Sequence, residues 1–479
     1  MFFQKMKLNK FAVPASLFAA SLVPLSVFRI AKSYRYFYGD DYLLLEAHNK
    51  PGGYANSFLH SFIDIDMQGK WRPVFTFVLY AVSKIFGLNT STVMIVLLLL
   101  ISVVATVSGL IVYRLNGNFL AALIVAVIVP MSRFSWYAQN RIHGLLELMA
   151  ILFMLLGCLT YARAVNTGFT GRHLFLLNLF FSLAALTHER YLIVCIVTPL
   201  WLVLTNWNYK KSTYFILWGT TVIYIAVELL SQNNPLRGGG EEEFSRTYGL
   251  WILDHFVLAL KKLLVGTDGN SIYPNHQIFG PLRIAVVLIL CVVVYFCVRK
   301  VIGLNNAEFA DSKIANRDRN KFYSFIYFQL LISGCLILMA STVKSRIEGR
   351  WLFGSEILLL IVVCSIIGVL REKRLTVLYL CLIVFAYVAN NICNLNNIDK
   401  FEVNRAEVNN ILLQVSSMDK PLAAYNVTLI GFNGWVFAYG SVFNQIEHPP
   451  NNISFDGNCD TPCLQIKEDN GNTIVTWQS

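Results

Sequence analysis

Charge is scarce in this chain: Asp, Glu, Lys and Arg make up 14% of its 479 residues, where soluble domains carry about 25%. With 56% hydrophobic residues and a mean hydropathy of +0.55, that deficit excludes a soluble enzyme. Other absences narrow the field further. The alternating short segments of a membrane barrel are missing, so helices are the economical way to satisfy the backbone in lipid. No internal repeat of transporter type stands out. No Gly-rich loop of phosphate-cradling spacing occurs, so no nucleotide-binding loop is indicated. No HExxH or HxxxH spacing supports a histidine metal site. The nearest approach to low complexity is the Gly238 to Glu243 run GGGEEE, read as a flexible loop.

What is present is a series of apolar runs of spanning length, such as Val93 to Tyr113, Ile142 to Tyr161 and Trp351 to Leu370. Together they predict an all-α polytopic protein with about eleven membrane helices (residues 1–393), followed by a small C-terminal α/β domain or tail (394–479). The first run, Phe11 to Phe28, follows Lys5, Lys7 and Lys10 and is expected to be a retained span, because no small-residue cleavage site follows it.

The net charge of +11 sits in short loops, where it sets orientation rather than binding nucleic acid. Arg163 to Arg172, Lys210 with Lys211, Arg299 to Lys321 and Arg371 to Arg374 are assigned to the cytoplasm. Alternation then leaves the run Pro73 to Phe86 without room to cross. It is short, begins with Pro and carries Lys84, so an amphipathic helix on the outer surface is expected, within a long first outer loop (29–90). A second large outer loop covers 231–281, and parity places the tail outside as well. Eight of the ten cysteines lie in or beside apolar runs and behave as small hydrophobes. Cys459 and Cys463 lie in the polar tail and are a disulfide candidate if that tail is extracytoplasmic.

Ionisable residues gather at the expected outer rim in four places. Asp40 and Asp41 follow the first span; adjacent carboxylates repel unless a cation, a metal or a substrate hydroxyl compensates them. One reading makes one of them a general base, and the other makes them caps of the helix beginning near Tyr42. Arg72, in Lys70-Trp71-Arg72-Pro73, either partners Asp40 or Asp41 or anchors the interface. Two hairpin turns carry Gln139-Asn140-Arg141-Ile142-His143, with Glu147 a turn later, and His188-Glu189-Arg190. Function and internal pairing both account for these turns. Finally, Lys344, Arg346 and Arg350 crowd one outer turn against the positive-inside trend; phosphate binding and contact with anionic headgroups both fit.

In this order, a first span, the acidic pair Gly39-Asp40-Asp41, the Lys-Trp-Arg-Pro entry to a surface helix ending Ile85-Phe86-Gly87, and then repeated spans, the sequence resembles the GT-C superfamily of polytopic glycosyltransferases. The likeness is nearest to bacterial glucosyl transferases that modify O-antigen. The resemblance implies a polyprenyl-phosphate sugar donor, a polysaccharide or lipid acceptor and a bacterial inner-membrane location with the site facing the periplasm. By resemblance Asp40 matches the catalytic carboxylate with Asp41 as partner. Arg346 and Arg350, with Lys344, Arg141 or Arg190, would hold the donor phosphate, supported by Arg72, His188 and Glu189. A second carboxylate of some relatives is missing from Gln139-Asn140-Arg141, so the resemblance leaves a divalent metal open. The competing functions are a flippase or transporter of lipid-linked sugars and an O-antigen polymerase or ligase.

Overall fold

The structure is a computed structural model. It describes residues 11–28, 36–37, 39–49, 59, 71–87, 89–132, 134–204, 212–230, 252, 255–260, 262–263, 313–342, 349–368, 374, 377–381, 383–384, 406–417, 426–432, 434, 436–446, 449–450, 452–455, 463–469 and 472–478. Lys344, Arg346 and Cys459 lie outside this set, as does most of the expected second outer loop.

The helices are α1 (Ala12–Phe28), α2 (Gly39–Asn49), α3 (Pro73–Phe86), α4 (Thr90–Asn116), α5 (Phe119–Met131), α6 (Ser135–Asn140), α7 (His143–Thr167), α8 (Gly171–Thr187), α9 (Leu192–Leu204), α10 (Ser212–Leu230), α11 (Lys313–Ser341) and α12 (Phe353–Gly368). Short 3-10 turns cover Glu189–Tyr191 and Gly349–Leu352.

Helix α4 shows why lipid is the solvent. Leu97, Ile101, Val104 and Ala105 are fully buried, while Ile95 and Leu99 on the opposite face are 58% and 49% exposed. A helix apolar on both faces needs an apolar surrounding. Asn89 caps its start by accepting from the Thr92 N–H at 2.8 Å, and Gly117 ends it in a left-handed conformation (φ 68°) that a side chain would strain. Among the described residues, four helices, Thr90–Asn116, His143–Val165, Phe322–Ser341 and Arg350–Ile367, are long and apolar enough to cross a membrane. The chain is thus a multi-pass helical membrane protein.

The expected eleven crossings are not matched among the described residues. Several further apolar helices are short, and α5 is an example: its 13 residues rise only about 20 Å, short of a core of about 30 Å. Pro130, at its penultimate position, has no N–H to offer the Ala126 carbonyl of the preceding turn. Helix α3 is present with the bounds read from the sequence. It buries Phe75, Thr76 and Leu79 and exposes Ile85 and Phe86 at its far end.

The helices approach closely where side chains are small. A Cβ on Gly109 of α4 would meet the Ala122 carbonyl at 2.8 Å, and one on Gly157 of α7 would meet the Phe181 ring at 2.2 Å. Small residues at crossings let membrane helices pack without a hydrophobic driving force.

The C-terminal part is α/β, as expected. A helix over 406–416 buries Val408, Ile411, Leu412 and Val415. Strands β1 (Asn426–Ile430), β2 (Asn452–Phe455), β3 (Cys463–Asp469) and β4 (Asn472–Gln478) form one sheet in the order β2-β1-β3-β4. β1 pairs in parallel with β2 and β3, and β3 and β4 form an antiparallel hairpin. A 3-10 segment, Ala438–Gln445, joins β1 to β2 and packs on α2.

Candidate active site

Helix α2 opens at Gly39, whose φ of 53° suits glycine, and carries Asp40 and Asp41 in its first turn. The Asp40 backbone lies on the helix; its side chain is outside the described set. Asp41 is 4% exposed, and its carboxylate reaches another element. Oδ1 accepts from the Ile142 N–H at 3.1 Å and lies 3.6 Å from His143 Nδ1. Oδ2 lies 3.8 Å from Arg141 Nη1. Asp41 and the Arg141 turn, about a hundred positions apart in the chain, thus meet at one end of the bundle.

That end holds a second set of charges. Arg72, at the entry to α3, grips Glu189 with two hydrogen bonds: Nε donates to Oε2 at 2.8 Å and Nη2 to Oε1 at 2.7 Å. His188 lies between two carboxylates, with Nδ1 3.1 Å from Glu189 and Nε2 3.4 Å from Glu147. Arg190 donates to Glu147 at 3.2 Å. The His-Glu-Arg turn is thus cross-linked to α3 through Glu189 and to α7 through Glu147. Burial would raise the Glu189 carboxyl, but the Arg72 guanidinium and the His188 imidazole outweigh it and hold the group well below the usual carboxylate range.

Three guanidinium groups at this end also lie over aromatic rings. Arg190 Cζ is 4.1 Å from the Trp351 ring centre and Arg350 Cζ is 4.2 Å from that of Tyr137. Arg141 Cζ is 5.7 Å from the same Tyr137 ring. A ring face fixes a guanidinium plane while its N–H edges remain able to bind an oxyanion bidentately. These three come from separate elements: the turn before α7, the turn before α9 and the turn before α12.

Of the residues singled out in the sequence, Asp41, Arg141, Arg72, His188, Glu189, Arg190 and Arg350 are all tied into these contacts. Tyr137 and Glu356 were missed. Tyr137 reads as an ordinary interfacial aromatic. Glu356, in the first turn of α12 and hydrogen-bonded by Ser132 Oγ, carried a usable signal, since an ionisable residue inside an apolar run is a site candidate by default. No group of three His, Cys, Asp or Glu side chains suited to a metal converges among the described residues.

A small apolar gap beside this cluster is lined by Leu79 and Val82 of α3, Val93 and Leu97 of α4, and Ile142 and Leu145. Ile142, whose N–H holds Asp41, thus also lines this gap.

No protein-family model matches the sequence, and no curated protein matches it. Among solved structures, the chain overlaps the oligosaccharyltransferase of Archaeoglobus fulgidus in its apo form, with 11% identity and a TM-score of 0.45. It also overlaps the archaeal oligosaccharyltransferase AglB from Archaeoglobus fulgidus in complex with an inhibitory peptide and a dolichol-phosphate, with 13% identity and a TM-score of 0.41. In both cases the overlap takes in 93% of this chain and 64% of the other. Identity and overlap at this level leave the case for function with the residues themselves.

Proposed function

We propose that this chain is a membrane glycosyltransferase that moves a sugar from a polyprenyl-phosphate donor to a hydroxyl of an extracytoplasmic polysaccharide or lipid, at the periplasmic face of a bacterial inner membrane. The observation that carries the reading is the junction of buried Asp41 with the Arg141-Ile142-His143 turn, beside ring-stacked Arg190 and Arg350. A carboxylate and several fixed guanidiniums are the two charges that glycosyl transfer from a phosphate requires. The order of the acidic pair, Lys-Trp-Arg-Pro and repeated spans gives the same reading through its resemblance to GT-C enzymes.

In this mechanism the acceptor oxygen attacks the anomeric carbon as its proton passes to a carboxylate of the acidic pair. The bond from the anomeric carbon to the phosphate oxygen breaks, and its electron pair leaves with the phosphate. The transition state is oxocarbenium-like. Arg141, Arg190 and Arg350, with Arg346 and Lys344, favour it by stabilising the charge that builds on the departing phosphate. Arg72, Glu189 and His188 hold the surrounding turn in place.

The test uses the purified full chain in liposomes, labelled polyprenyl-phosphate sugars and an envelope extract as acceptor. Transfer to the extract is expected, with Asp40→Asn or Asp41→Asn lowering turnover on the order of 10²–10⁴-fold while donor binding is retained. Movement of the lipid-linked sugar across the bilayer with no new glycosidic bond, unaltered in both variants, would overturn the proposal in favour of a flippase.

A further inference from the structure

The first turn of α2 is held from outside the membrane domain. Gln445, at the end of the 3-10 segment of the C-terminal part, uses both halves of its amide on one residue. Oε1 accepts from the Phe37 N–H at 2.9 Å, and Nε2 donates to the Phe37 carbonyl at 2.7 Å. Two positions on, the Gly39 N–H donates to the Val436 carbonyl at 3.0 Å. Past the acidic pair, the Asn444 side chain hydrogen-bonds the Tyr42 hydroxyl. Contacts at 37, 39 and 42 therefore bracket Asp40 and Asp41 on both sides, and all three come from residues 436–445.

Chemistry explains why these residues suit the task. A helix start leaves N–H groups without helical partners, and an acidic residue in the first turn competes to cap them. Here the Val436 carbonyl takes the Gly39 N–H, and the Asp41 carboxylate reaches the Ile142 N–H instead. A primary amide of Gln length supplies donor and acceptor together; a carboxylate lacks the donor, and a thioether has no donor and only a weak acceptor. The clamp is itself fixed to the sheet. Gly440 has a φ of 97°, and a Cβ there would meet Ile453 of β2 at 2.9 Å. Phe437 and Phe443 are fully buried, with ring centres 6.4 Å apart.

We infer that residues 436–445 of the C-terminal part are the positioning element of the acidic pair, with Gln445 the principal positioning residue and Asn444 its second. This rests on the transferase reading of that pair, whose failure the test below separates from its own. Displacing a reacting group by about 1 Å costs on the order of 100-fold in rate, so small losses of register at Phe37 should show in turnover.

The experiment compares full-length wild type, Gln445→Glu, Gln445→Met and Asn444→Ala, by transfer kinetics and by hydrogen exchange of the 36–44 segment. Expected are graded losses of kcat, about tenfold or more for Gln445→Met and less for Gln445→Glu, with the donor KM unchanged. Exchange at Phe37 and Gly39 should quicken about tenfold, the scale of one lost hydrogen bond. In an Asp41→Asn background Gln445→Met should cause no further loss of kcat. Unchanged exchange at 36–44 in both Gln445 variants overturns the clamp, whatever the activity. Quickened exchange with wild-type kcat overturns the positioning role. A wild type that transfers nothing, with the exchange response intact, sinks the transferase reading and leaves the clamp standing.

Discussion

Breaking the pair between Arg72 and Glu189 should cost more than breaking a surface ion pair, because the Arg72 side chain is 5% exposed and that of Glu189 25%. At 2.7 Å and an effective dielectric of about 20, the attraction is about 6 kcal/mol, most of it offset by desolvation. Removing one partner of a buried pair costs about 3–5 kcal/mol, and the partial exposure of Glu189 sets the expectation for Arg72→Met at about 3 kcal/mol. The assay is unfolding in detergent micelles of Arg72→Met, Glu189→Gln and the double variant near pH 7. The double variant should lose about 2 kcal/mol less than the sum of the singles. Because the Glu189 carboxyl is depressed on folding, its contribution is present above the unfolded value of about 4.3 and is lost as pH falls through the lower folded value. The coupling should therefore hold from neutral pH down to about 5 and fade below about 4. Losses that add to within about 0.5 kcal/mol, or a coupling that fades between pH 7 and 6, would refute this account of how α3 is fastened.

Further outcomes follow from packing and topology. Gly157→Ala places a Cβ 2.2 Å from the Phe181 ring and should destabilise by about 1–3 kcal/mol, whereas Gly219→Ala, with nothing within 4 Å, should be neutral or slightly stabilising; thermal midpoints in one detergent compare them. Tyr137→Leu removes the ring under Arg350 and should raise the donor KM about fivefold, near 1 kcal/mol, while Tyr137→Phe should not. A reporter that is active only outside the cytoplasm, fused after Ser479, should be active; activity of a cytoplasmic reporter at that position instead would reverse the site's orientation.

How much was legible varied with the physics. The bounds of helix α3 were readable because Pro73 fixes its start and Gly87 its end. Of the expected eleven crossings, four helices among the described residues reach spanning length; the other expected spans are shorter helices or fall outside that set. The acidic pair and the arginine turns stood out as charges in apolar surroundings. Their partners did not: nothing local in the sequence tells Arg72 to take Glu189, or Asp41 to take the Ile142 N–H, because those contacts join positions roughly a hundred or more apart. The hold on Phe37 was further from reach still, since a glutamine 408 positions away carries no signal until the sheet has placed it.

Asp41 and Arg141 are proposed to act as one site in sugar transfer. The most direct measurement is the cycle of kcat/KM for wild type, Asp41→Asn, Arg141→Gln and the double variant with a polyprenyl-phosphate sugar. Groups acting as a unit give non-additive losses, so the double variant should fall no more than about threefold below the worse single variant. Losses that simply multiply, or an Asp41→Asn protein as active as wild type, would contradict it.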